Sequence, residues 1–187
     1  MREGDVWFFD RVAPIYHRLM PRAKRSVLAA GLEQSDRELS RIIDLGGGTG
    51  RAASAIEGRP VVIDASRGML TRVGADLPAV QASATMLPLP DASLDAVLIV
   101  DAFHHLPNQS TVITEVARVL RDGGVVVIRD FDPSTIRGRA VAFAERVIGM
   151  RSRFHATADL ADQLATAGLE PIVVEDGFTY TVVGRKS

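Results

Sequence analysis

Ile42-Ile43-Asp44-Leu45-Gly46-Gly47-Gly48-Thr49-Gly50 is the stretch that decides the fold of this 187-residue chain. Apolar residues and an acid run into a glycine-rich turn, which opens onto a helix-like stretch reaching Glu57. Glycine permits positive φ and close approach of backbone to a ligand, and a helix N-terminus offers N–H groups without intrahelical partners. Gly46, Gly48 and Gly50 space as G-x-G-x-G, whereas the dinucleotide fingerprint G-x-G-x-x-G needs its third glycine where Arg51 stands. That spacing argues against NAD. S-adenosylmethionine has no pyrophosphate and presents an ammonium group, which Asp44 beside the turn suits.

Moving outward, PVVID ends in Asp64, about twenty positions after Asp44, where a carboxylate can accept hydrogen bonds from two ribose hydroxyls. A helix from about Ser66 to Ala75, a short strand in AVQA, the strand LDAVLIV, a helix through TVITEVARVL and the strand GVVVIRD follow. Short Val- and Ile-rich runs alternating with helical patterns are what a parallel sheet buried on both faces requires. After a helix at about Thr157 to Ala167, PIVVE and FTYTVVGRK are separated by Asp176 and Gly177, a hairpin signal that makes the last two strands antiparallel. Ahead of the first strand, Phe9, Val12, Tyr16 and Met20 recur at helical spacing interrupted by Pro14, which predicts two short helices over the sheet edge.

With 47% hydrophobic and 24% charged residues the chain reads as one globular domain. A net charge of -1 supplies no basic field to gather nucleic acid. Without cysteine there is no disulfide, thiolate ligand or cysteine nucleophile. The charged opening MREGDVWFFDR lacks a signal peptide's apolar run, and no apolar stretch approaches the roughly 18 residues of a membrane span, so a cytoplasmic location is the expectation.

DLGGGTG, VVIDASRGML, ASATMLPLPDASLDAVLIVDAFHHL and EVARVLRDGGVVVI resemble, in order, the motifs of class I (Rossmann-like) S-adenosylmethionine-dependent methyltransferases, in particular the group with the ubiquinone and menaquinone C-methyltransferases. The resemblance covers about Phe9 to Asp130 when FDRVAPIYHRL is included. It implies a three-layer α/β fold with a seven-stranded sheet in the order 3-2-1-4-5-7-6. It also implies one domain made of an N-terminal helical lid (1–40), a cofactor-binding core (41–130), a helical cap (131–168) and a terminal hairpin (169–187). Carried onto this sequence, Gly46, Gly47, Gly48, Gly50 and Asp64 hold the cofactor and Ala65 and Met69 flank its adenine. Ser83, followed by Ala84 and Thr85, stands where the family usually carries an acid for the adenine amino group. Tyr16 in the lid approaches the methionine end, and His17 replaces the acid that usually follows it.

VDAFHHL after the fourth strand places Asp101, His104 and His105 at the ligand side of the sheet. Asp101 is expected to line the cofactor pocket and His105 is the candidate general base, while His104 reads as part of the next helix's start. Asp130, ending the fifth strand, is a further acceptor-side candidate. Asp101-Ala-Phe-His replaces the Asn/Asp-Pro-Pro-aromatic loop of base N-methylating enzymes, which disfavours nucleic acid as substrate. His17, His104, His105 and His155 form no ligand-spaced set with carboxylates, so no metal is expected. Arg137, Arg139, Arg146, Arg151 and Arg153 lie among apolar residues. They read as a solvated helical face, with recognition of an acceptor's carboxylate or phosphate, or contact with a membrane surface, as the alternatives. The expected activity is methyl transfer to a small-molecule acceptor. The alternatives are a cofactor-binding sensor or partner module without catalysis, and a dinucleotide-dependent oxidoreductase.

Overall fold

The computed structural model describes residues 5–19 and 24–187, without the side chains of 14–19. The chain runs α1 (Val6–Leu19), α2 (Arg25–Leu32), β1 (Ile42–Leu45), β2 (Val61–Asp64), α3 (Arg67–Leu70), β3 (Ala79–Gln81), β4 (Leu94–Val100), α4 (Gln109–Val119), β5 (Leu120–Phe131), α5 (Ile136–Val147), α6 (Thr157–Thr166), β6 (Leu169–Glu175) and β7 (Thr179–Lys186). The strands form one sheet in the order β3-β2-β1-β4-β5-β7-β6, as the family resemblance implies. β1 to β5 pair in parallel, and the β6–β7 hairpin adds antiparallel beside β5.

Side-chain alternation gives each face of the sheet its own core. Ile43, Val97 and Ile99 pack with Val112 and Val116 of α4 and Leu160 and Leu164 of α6. Ile42, Ala96, Leu98 and Val100 point the other way, onto Leu28 and Leu32 of α2. All seven residues of β4 are buried, which explains the unbroken apolar pattern of LDAVLIV apart from Asp95. That acid accepts hydrogen bonds from Arg37, Arg121, the Ser40 hydroxyl and two backbone N–H groups.

Three expected helices come out differently. After the glycine turn there is only a 3₁₀ turn at Ala53–Ala55, because the Ala53 N–H turns to the Asp44 carboxylate (2.9 Å) and Gly58 and Pro60 close the segment. α3 stops at Leu70 instead of reaching Ala75, passing into tight turns at Arg72 and Val73. α1 runs through Pro14 instead of breaking there. An interior proline costs a helix about 3 kcal/mol, and two anchors hold α1 in place. The Asp5 carbonyl receives the Phe8 and Phe9 N–H groups, and the Asp10 carboxylate receives the Ser66 hydroxyl (2.6 Å) and the Gly68 N–H (3.0 Å). Among the described residues no helix is long and apolar enough to cross a membrane.

Candidate functional site

A cavity of about 900 Å³, counting its open mouth, lies at the carboxyl ends of β1, β2 and β4. This is where ligands bind in open α/β sheets. Asp5 and, from α1, Val6 and Phe9 form one wall, and β1, β2 and β4 with the turns after β1, β2, β3 and β4 supply the rest.

Asp44 forms the floor. Its side chain is fully buried, Oδ2 accepts the Ala53 N–H, and Oδ1 has no hydrogen-bond partner among the described residues. Burial pushes its carboxyl up to about 7, with the nearby Asp64 adding to the effect. Gly47 must be glycine, because a Cβ there would lie 2.6 Å from Asp44 Cγ. Gly48 adopts φ +56° and donates its N–H to Asp64 Oδ2 at 2.8 Å.

The other oxygen of Asp64 accepts the Ser66 N–H at 2.7 Å. Burial raises this carboxyl too, against the pull of its N–H donors. Of the residues expected to hold the cofactor, Asp44, Gly46, Gly47, Gly48, Asp64, Ala65, Met69, Ser83, Ala84 and Asp101 line the cavity together. Gly50 and Thr85 do not: Gly50 packs toward Leu77 and Val62 at φ +78°, and Thr85 shares a 2.8 Å hydrogen bond with the Ser83 hydroxyl. The side chain of Tyr16 lies outside the described residues, as does that of His17.

Asp101 reaches the cavity with its carboxylate already engaged. Arg51 Nη2 donates to Oδ2 (2.8 Å) and Arg129 Nη1 to Oδ1 (2.9 Å), and all three side chains are largely buried. The backbone of Asp101 is left-handed, at φ +50°, which turns the chain sharply away from β4.

The two histidines then diverge in role. His104 is buried, donates from Nδ1 to Asp130 Oδ1 at 2.6 Å, and approaches Glu145 Oε1 at 3.5 Å through Nε2. Burial disfavours its charge, but Asp130 and Glu145 outweigh burial and raise its pKa to about 10. His105 lines the cavity, and its Nδ1 faces Asp5 Oδ2 (3.2 Å) and the Ser152 hydroxyl (3.1 Å). Burial lowers its pKa, and the neighbouring His104 cation adds to that, so His105 is neutral at pH 7. Phe9 contacts it edge-on at 4.8 Å.

His104, His105 and Glu145 are the described residues that could hold a metal ion, with ligand atoms within 4.8 Å of one another. Sequence spacing could not show this, because Glu145 arrives from the distant α5. Asp5 and Arg51 were missed in the same way. The one available signal for Asp10 and Phe9 was the FDRVAPIY segment, in which only the tyrosine drew notice.

Residues 43–128 match the model of the family described as Methyltransferase domain. The chain is 40% identical over 103 residues to a 27-O-demethylrifamycin SV methyltransferase of Amycolatopsis mediterranei, an alignment covering 54% of this chain and 38% of that protein. It is 29% identical over 174 residues to a malonyl-acyl-carrier-protein O-methyltransferase of Dechloromonas aromatica, covering 89% and 66%. The chain thus spans between about two fifths and two thirds of the length of these relatives. Among solved structures it resembles a Thermotoga maritima SAM-dependent methyltransferase described as a possible histamine N-methyltransferase. The TM-score is 0.82 at 21% identity, covering 97% of this chain and 100% of the other. It also resembles the 4+2 cyclase SpnF (TM-score 0.72, 16% identity, covering 96% and 94%), so the fold accommodates more than one chemistry.

Proposed function

From the match of residues 43–128 to the methyltransferase domain family, we infer that this chain binds S-adenosylmethionine and transfers its methyl group to a small-molecule acceptor. The observation that carries the reading is Asp44: a fully buried carboxylate oxygen without a partner among the described residues, beside a turn of glycines, is fitted to a cationic amine. The cofactor supplies a methyl group activated on a positive sulfonium. Asp44 Oδ1 accepts from its ammonium group. Asp64, fixed in orientation by Gly48 and Ser66, keeps outward lone pairs for the ribose hydroxyls. Ala65, Met69, Ser83 and Ala84 would enclose the adenine, and Asp101, its two carboxylate oxygens taken up by Arg51 and Arg129, forms a wall.

On the acceptor side, neutral His105 donates its Nδ1–H to the Asp5 carboxylate, which leaves Nε2 as the basic nitrogen. That nitrogen is our candidate for deprotonating the acceptor, work typically worth 10²- to 10⁴-fold. α1, tied to the loop after β2 through Asp10, closes the site against water and aligns the reacting atoms. The test is incubation with methyl-labelled S-adenosylmethionine and a cell metabolite extract. Label appearing in a small molecule, reduced at least tenfold by His105→Gln, supports the reading. Tight cofactor binding with no transfer to any acceptor would identify a sensor module instead.

A further inference from the structure

α5 buries only one of its residues, Gly138, where even a Cβ would run into the Asp132 carbonyl. The rest of the helix is held at the surface, started by the Thr135 hydroxyl accepting the Gly138 N–H. Positions 136, 140, 143 and 147 recur at helical spacing and share one face. That face is apolar and turned to solvent: Ile136 is 80% exposed, Phe143 69% and Val147 68%, with Ile148 beside them at 53%. Large apolar side chains exposed singly need no explanation, but a continuous stripe marks an interaction surface.

Charge selects the partner. Arg139 and Arg146 flank the stripe on one side and Arg137 on the other, all exposed, and their side chains have no hydrogen bond or ion pair among the described residues. The one acid of the helix, Glu145, lies opposite Phe143 and faces inward to His104 and His105. The outer face therefore carries no negative charge, in a chain whose net charge is -1. A second copy of this chain is a poor partner, since a two-fold contact would bring like arginines together with no acid between them. Trp7, 47% exposed, lies two residues from Asp5, whose carboxylate receives the Arg151 N–H just beyond α5.

We propose that the outer face of α5 docks on an anionic lipid bilayer, with Phe143 and Val147 entering the boundary between headgroups and acyl chains and the arginines meeting lipid phosphates. An apolar stripe flanked by arginines on a helix lying flat is the pattern of interfacial binding. This surface owes nothing to the methyl-transfer reading, and its test is separate from that one.

The experiment is flotation of the whole protein with vesicles of phosphatidylcholine alone, and with vesicles of one part phosphatidylglycerol to three of phosphatidylcholine. Each arginine near an anionic surface strengthens binding roughly fivefold, so Arg137→Gln/Arg139→Gln/Arg146→Gln lowers binding to the mixed vesicles by about a hundredfold. Phe143→Ser/Val147→Ser lowers it at least tenfold, and high salt weakens the wild type. Circular dichroism and thermal melting, both unchanged, show that the variants are folded. Flotation with neither vesicle by the folded wild type would overturn the proposal, as would binding that neither variant changes. A dimer dissociated by Phe143→Ser, or capture of an acidic carrier protein without vesicle binding, would assign the face to another partner and equally overturn it.

Discussion

His104 donates its Nδ1 hydrogen to Asp130 across 2.6 Å, tying the turn after β4 to the end of β5 with both side chains buried. Asp130 also accepts the His104 and Phe131 N–H groups, so this carboxylate organises the acceptor-side wall.

The pair makes stability depend on alkaline pH. The folded pKa of His104 is raised to about 10, above its ordinary 6.5. Its contribution is therefore fully present below about pH 6.5 and is lost as pH rises through about 10. Thermal midpoints should fall between pH 7 and pH 10, by an amount corresponding to a few kcal/mol. His104→Gln should be less stable at pH 7 and should lack that slope. A wild type whose midpoint is flat over this range would contradict the buried ion pair.

Asp44 gives a slope of the same sign in a lower pH window. Because burial raises its carboxyl to about 7, the folded state holds a proton that the unfolded chain releases, and stability falls as pH rises from about 4 to 7. Asp44→Asn should stabilise the ligand-free protein by ~1–2 kcal/mol at pH 7.5. The same variant should weaken S-adenosylmethionine binding at least thirtyfold, because a charge-assisted bond of about 2 kcal/mol or more is lost. In the wild type, affinity should drop as pH falls below 7, since the carboxylate must be ionised to meet an ammonium group. Calorimetric titrations at pH 6 and 8, with thermal melts of both proteins, check all three.

Gly47→Ala tests the packing of the turn. The added methyl would lie 2.6 Å from Asp44 Cγ and 2.8 Å from the Asp44 carbonyl oxygen, so the carboxylate must move. Overpacking of this kind typically costs 1–3 kcal/mol. A melt lowered accordingly, with cofactor binding lost, is the expected result; full affinity would show that Asp44 does not need its present position.

Asp10→Ala should loosen α1. Its carboxylate receives the Ser66 hydroxyl and the Gly68 N–H, both just after β2. Losing charge-assisted bonds worth about 1.5–3 kcal/mol each should speed cofactor dissociation about tenfold or more, with little effect on the melting of the sheet. Stopped-flow dissociation measurements separate the two effects.

What the sequence made legible was local. The strands followed from apolar runs and helical periods and the antiparallel end from the Asp176-Gly177 hairpin, while the strand order came from the resemblance to class I methyltransferases; Asp44 and Asp64 stood out because each ends a strand next to a recognisable turn. The helix after β1 was misjudged because a side chain, Asp44, intercepts the Ala53 N–H, an event no periodicity reports. The acceptor side was the least legible. Its residues converge from Asp5, His105, Asp130 and Glu145, and only folding brings Glu145 of α5 against the histidines. The arginines of α5 and the apolar residues among them were visible, but that Ile136, Phe143 and Val147 share one exposed side shows only in the folded helix.

The most direct test of the proposed function is calorimetric titration of the protein with S-adenosylmethionine, S-adenosylhomocysteine and NAD, with Asp64→Ala alongside. Binding of the first two in the micromolar range, weakened at least tenfold in the variant by loss of a charge-assisted bond and absent for NAD, is the predicted result. Tight NAD binding, or no binding of any of the three by the folded protein, would contradict it.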